Sequence, residues 1–131
     1  MHTLHRYWIW PDQLRLPFAA ELNRVGSRFD ADDAIHRDAY LSLWYALLAV
    51  VIEGWSTLQL SDPTVDELLD SPFLGALRRY RNGVFHFKRR YWDARRTELL
   101  MGGAESAVWV RRTHDEIGRY LLDAIRTDTT H

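Results

Sequence analysis

Arg81 and His86 stand five positions apart, with Asn82 directly after the arginine. An arginine is a permanent cation that can grip a phosphate through two hydrogen bonds, and a histidine exchanges a proton near neutral pH. Together they suffice for one reaction that needs no metal, the attack of a ribose 2′-hydroxyl on its own phosphate. The histidine moves the proton and the arginine offsets charge on the phosphorane. In a regular helix five residues subtend about 140° and rise about 7.5 Å, so the two side chains do not quite share a face. Gly83 between them gives the backbone freedom to bend, or Asn82-Gly83 ends the helix; either geometry brings His86 round. Other chemistry is poorly supplied. The chain has no cysteine, which removes disulfides, thiolate nucleophiles and sulfur-based zinc sites. It has no phosphate-cradling glycine loop and no serine elbow. His2 and His5 offer two metal ligands at a terminus, which is not a site, so neither metal nor cofactor is expected. His114 lies on an apolar helical stripe and reads as a core histidine with its hydrogen bonds satisfied. Glu53 could pair with Arg81 as a buried carboxylate, but a solvent-facing glutamate is the stronger expectation.

The elements that position this group are helical throughout. With 131 residues, 47% apolar and 13% aromatic, the chain suits one hydrophobic core rather than disorder. The stretch from Leu4 to about Phe29 contains Pro11 and Pro17 and should be a bent or broken helix, with an amphipathic half near Phe18, Leu22 and Val25. Asp30, Asp32 and Asp33 are cap candidates for the longest helix, about 34–58, whose apolar positions Leu41, Trp44, Leu48, Val51 and Trp55 keep three-to-four spacing. From Leu43 to Ile52 that helix is apolar on every side. It should be sandwiched, within the bundle or between the bundle and a second copy. Ten apolar residues are about half a bilayer crossing, and the first residues do not read as a secretory signal. A soluble, cytoplasmic protein with no membrane partner is expected. Ser61-Asp62-Pro63 opens a short helix through Leu69. Asp70-Ser71-Pro72 opens another carrying Phe73, Leu77, Tyr80 and Val84. A segment from about Ala94 to Met101 stops at Gly102-Gly103. The last helix, about 104–126, places Ala107, Val110, His114, Ile117, Leu121 and Ala124 on one stripe. The fold class is therefore all-α: one helical bundle of four to five main helices spanning 1–131, with 127–131 a polar tail.

Charge is concentrated where the motif lies. Between Arg78 and Arg96 there are eight basic residues against the single acid Asp93, while the remainder carries nine basic against seventeen acidic. Such a block is either a solvated face or an electrostatic footprint for a phosphate backbone. Tyr80, Tyr91 and Trp92, interleaved with it, could stack on single-stranded bases or simply cover core. Spacing alone discriminates little, since Arg126 and His131 stand at the same separation and Arg79 also precedes His86. Asn82, the helix and the basic block set Arg81–His86 apart.

The arrangement Arg81-Asn82-x-x-x-His86 resembles the HEPN superfamily (higher eukaryote and prokaryote nucleotide-binding). These are small helical bundles marked by an arginine, four to six residues and a histidine, commonly with a polar residue after the arginine. The helical pattern from about 34 to 126 is similar too, that of the first thirty residues less so. The resemblance implies a metal-independent endoribonuclease working as a homodimer, with both motifs lining a shared cleft. It implies a toxin or defence role, with an antitoxin or a nucleotidyltransferase as partner. Arg81 would be the phosphate clamp, His86 the general base or acid, and Asn82 would orient substrate or histidine. Arg78, Arg79, Lys88, Arg89 and Tyr91 would bind the RNA. Some toxin members carry a tyrosine two residues after the histidine; here Lys88 stands there, although Tyr91 is near. The alternative is a catalytically inactive module on the same fold that binds nucleotide, RNA or protein.

Overall fold

The structure, a computed structural model, describes residues 1–25 and 31–129. Among these it is all-helical, with six helices and no strand: α1 (His2–Val25), α2 (Ala31–Thr57), α3 (Pro63–Leu69), α4 (Phe73–Phe85), α5 (Ala94–Leu100) and α6 (Gly103–Thr129). Four are long and two are single short rungs. The helix α2 packs between α1 and α4, α5 lies on α4, and α6 closes the bundle against α1, α3 and α5.

The apolar spacing of α2 has its expected outcome. Trp44, Leu48, Val51 and Trp55 are buried, joined by Tyr45, Ala49 and Ile52, while Leu41, the first of the series, is half-buried against the core. From α4 come Ala76, Leu77 and Tyr80, and from α6 Trp109, Val110, Ile117 and Leu121. Residues 35–57 are long and apolar enough to cross a membrane by length and composition, with half of the most apolar window buried inside the bundle. Several details differ from expectation. On α6, Ala107 is exposed and the inward stripe instead takes in Ser106 and Thr113. The same helix runs on through Thr129, three residues past Arg126, so positions 127–129 of the expected tail are helical. Asp30 lies outside the described residues, as do the side chains of Val25, Asp32 and Asp33.

The two prolines do not break α1, which is a single helix of 24 residues. An interior proline costs about 3 kcal/mol, and packing offsets it. Leu4 is buried, and Trp8, Leu14 and Phe18 press on the core. Trp8 donates its indole N–H to the His114 carbonyl at 2.9 Å, and a Cβ on Gly118 would intrude into the Trp8 ring.

The turns follow their sequence signals. Asp62 caps α3, accepting from the Thr64 and Val65 amides at 3.1 Å with Pro63 at the first helical position. At the second Asp-Ser-Pro the device is shifted. Ser71 Oγ accepts from the Phe73 amide at 3.1 Å, and Pro72 stands at the cap itself. Gly103, at φ 59°, supplies the left-handed residue that separates α5 from α6.

His114 is a satisfied core histidine, wholly buried. Its Nδ1 accepts from Trp44 Nε1 at 3.3 Å and its Nε2 faces Asp12 Oδ1 at 3.1 Å. That pattern requires the neutral ring with the proton on Nε2. Burial pushes its pKa below the ordinary 6.5, against the opposing pull of Asp12, with Arg15 adding to the lowering and Asp115 opposing it. The unfolded chain therefore binds this proton first as pH falls, so stability is full above about 6.5 and declines below it. The expected slope is up to about 1.4 kcal/mol per pH unit. Urea midpoints at pH 7.5 and 5.5 should differ more in the wild type than in His114→Gln.

Candidate functional site

The helix α4 carries the motif, and its buried edge explains the spacing. Ala76, Leu77, Tyr80 and Gly83 face the core, which leaves Arg78, Arg79 and Asn82 exposed and Arg81 half-buried at the margin. Gly83 does not stop the helix, which continues to Phe85. Its role is close approach, because α5 crosses there. A Cβ at Gly83 would stand 2.8 Å from Arg96 Cγ and 3.2 Å from Arg95 Cβ. Gly83→Ala gains about 1 kcal/mol of helix propensity but overpacks this crossing, and overpacking typically costs 1–3 kcal/mol or more. A net loss of up to about 2 kcal/mol is expected, read as a lower urea midpoint at unchanged slope.

Arg81 is paired. Its Nη1 donates to Glu53 on α2, and Nη2 lies 3.4 Å from Asn82 Oδ1. Glu53 is exposed, the stronger of the two expectations for it, yet it is also the partner of Arg81. Arg79 makes a two-pronged contact with Glu98 on α5, both distances 2.6 Å. Each group holds the other charged, the hydrogen bond lowering the Glu98 carboxyl and raising the Arg79 guanidinium. Arg78 is exposed.

His86 closes α4 in an extended conformation (φ −120°, ψ 125°) and is exposed. No hydrogen-bond partner engages its imidazole among the described residues. From here the chain runs without regular structure to Asp93, whose side chain caps α5. This loop and α2 enclose a cleft of about 490 Å³. His86, Phe87, Lys88, Arg89, Arg90 and Tyr91 form its rim, with Leu43, Val84 and Ser42 among its other walls and Arg96 beneath. The structure thus brings together His86, Lys88, Arg89 and Tyr91. Arg78, Arg79, Arg81 and Asn82 do not line this cleft. Lys88, Arg89 and Arg90 have no acidic partner among the described residues.

The floor of the cleft is a buried ion pair. Arg96 and Asp38, with side chains 8% and 7% exposed, meet at 2.5 Å. Arg96 also donates to Ser42 Oγ at 2.7 Å and to the Tyr91 carbonyl at 3.2 Å. Its guanidinium lies among the rings of Tyr80, Tyr91 and Trp92, 4.8–5.8 Å from their centres. Its Nε makes no hydrogen bond. Burial opposes the charge on Arg96, but the hydrogen bond and charge of Asp38 outweigh it and raise the pKa. The Tyr91 hydroxyl donates to the same Asp38, and burial, then this bond, raises the Tyr91 pKa. Tyr91 therefore faces inward at its hydroxyl and fastens the loop to α2.

Sequence reasoning gave no role to Asp38, Ser42 or Phe87, and counted Arg90 and Arg96 only as members of the basic block. One signal was available: Asp38 and Ser42 stand four apart and precede Tyr45 on the face of α2 that meets the core, where two polar positions call for a partner. Comparison with protein-family models, with curated proteins and with solved structures gives no match.

Proposed function

We propose that this chain is a metal-independent endoribonuclease of HEPN type, acting as a homodimer in the cytoplasm, in a toxin or defence role. The observation that carries the reading is an exposed, unpartnered His86 on the rim of a cleft edged by three cations without acidic partners. The ribose 2′-oxygen attacks the adjacent phosphorus and the bond to the 5′-oxygen breaks. One His86 takes the 2′-hydroxyl proton, and a second imidazole returns a proton to the leaving oxygen. The products are a 2′,3′-cyclic phosphate and a 5′-hydroxyl. A second copy supplies the second imidazole. An antitoxin or nucleotidyltransferase partner belongs to the same reading.

For Arg81 to act as the phosphate clamp in this scheme, the phosphate must take the place of Glu53, since Arg81 is paired with that carboxylate and does not line the cleft of its own chain. Glu53→Gln should leave thermal stability within about 1 kcal/mol, since such an exposed pair contributes little. It should tighten RNA binding at low salt by releasing one cation, with the gain vanishing at high salt.

The test is incubation of a labelled RNA pool with the protein in excess EDTA, followed by analysis of the ends. Cyclic-phosphate termini support the reading. One observation favours a second reading, a binding module without catalysis: Arg81 is engaged by Glu53 and stands outside the cleft. It predicts salt-sensitive RNA binding that survives His86→Ala, and no cleavage by either protein.

A further inference from the structure

Phe87 is 93% exposed, among the most exposed of the large apolar side chains, and it follows His86 directly. No aromatic ring packs on it among the described residues, whereas Tyr91 and Trp92 pack on one another at 5.0 Å and on Arg96. The segment holding it is anchored at both ends. On one side it continues α4; on the other, the Tyr91 hydroxyl is tied to Asp38 and the Tyr91 carbonyl to Arg96. Phe87 is thus an apolar ring presented on the rim of a cleft beside an open imidazole, followed by three cations in sequence. A flat apolar face next to unpaired positive charge matches a group that is itself flat on one side and anionic on the other. Nucleotides in an unpaired strand have that form, because their bases are free to stack and their phosphates track the cations. A duplex hides its base faces. The cleft, at about 490 Å³, is in the size range of small-ligand sites. Aromatic and basic residues together also suit an anionic membrane surface, but a concave site with a histidine on its rim fits a strand better than a flat bilayer.

We propose that Phe87 is a nucleobase-stacking residue that seats the base next to the phosphate facing His86 and so selects unpaired RNA. This rests on the reading of the cleft as an RNA site. The probe is a short 2′-O-methyl oligouridylate, which lacks the nucleophile and stays intact. It is compared by fluorescence anisotropy with its blunt duplex and with an abasic oligomer of equal phosphate number. The single strand should bind at least about tenfold more tightly than either, the scale of one base–aromatic stack. Phe87→Ala should bring it down to the abasic level, and Phe87→Trp should keep the preference. Unchanged circular dichroism is expected for both, since the side chain touches little. Equal binding of all three probes by wild type and Phe87→Ala would overturn stacking while leaving the RNA site standing. Binding of no probe overturns both, and so does binding to phosphatidylserine vesicles without binding to any oligonucleotide.

Discussion

His86→Ala is expected to slow RNA cleavage by a factor of roughly 10²–10⁴, the usual contribution of a positioned acid or base, with no measurable loss of stability. The two halves of that expectation come from the same geometry. The imidazole is exposed, lacks a hydrogen-bond partner among the described residues, and sits at a helix end in an extended conformation that alanine also adopts. Surface replacements of this kind change stability by no more than about 0.5 kcal/mol, so equal urea midpoints would show that lost activity is lost chemistry. His86→Gln keeps shape and hydrogen bonding without the proton, and it should be as slow as alanine. The proposed sharing of one cleft by two copies has its own readout. Titrating excess His86→Ala protein into wild type should depress wild-type activity, because mixed dimers hold one imidazole where two are needed. Unchanged activity per wild-type chain, with mixed dimers demonstrated, would instead mean that each copy works alone.

The helices were legible because their information is local. The three-to-four spacing of Trp44, Leu48, Val51 and Trp55 states a helix, although the run from Leu43 to Ile52, apolar on every side, does not mark one inward face, and Asp62-Pro63 states a cap without reference to anything distant. The site was legible only in part, because its pairings are not local. Glu53 and Arg81 are 28 positions apart, and Asp38 and Arg96 are 58 apart. Which cation finds which acid depends on the stacking of α2, α4 and α5, so a charge count along the chain cannot divide the basic block. The fold divides it. Arg79, Arg81 and Arg96 are neutralised by Glu98, Glu53 and Asp38, which leaves Arg78, Lys88, Arg89, Arg90 and Arg95 without an acidic partner among the described residues, and of these Lys88, Arg89 and Arg90 line the cleft. Gly83 shows the same limit. A glycine inside a helical pattern signals flexibility or close packing equally well, and only the position of Arg96 decides between them.

Asp38→Ala is expected to cost about 3–5 kcal/mol, more than any other single change considered, because it strands a buried guanidinium. Arg96 cannot relieve the loss by deprotonating, nor by swinging outward without leaving the rings of Tyr80, Tyr91 and Trp92. The same carboxylate accepts from the Tyr91 hydroxyl, so the loop bearing His86 and Phe87 loses its tie to α2 in the same stroke. RNA affinity should therefore fall further than stability alone explains, measured at a temperature where the variant remains folded. Two companions separate charge from packing. Asp38→Asn keeps an acceptor for Arg96 and Tyr91 and should lose less. Asp38→Leu with Arg96→Met removes both charges together and should recover much of the deficit in urea midpoint, since replacing a buried pair by apolar side chains is often neutral. Recovery of stability without recovery of RNA affinity is the expected outcome for the double variant, because the apolar pair can fill the space under the cleft but gives the Tyr91 hydroxyl nothing to bond. If affinity returned as well, the ion pair would be a feature of the core alone, and the position of the loop would have to be set by α4 and the Asp93 cap of α5.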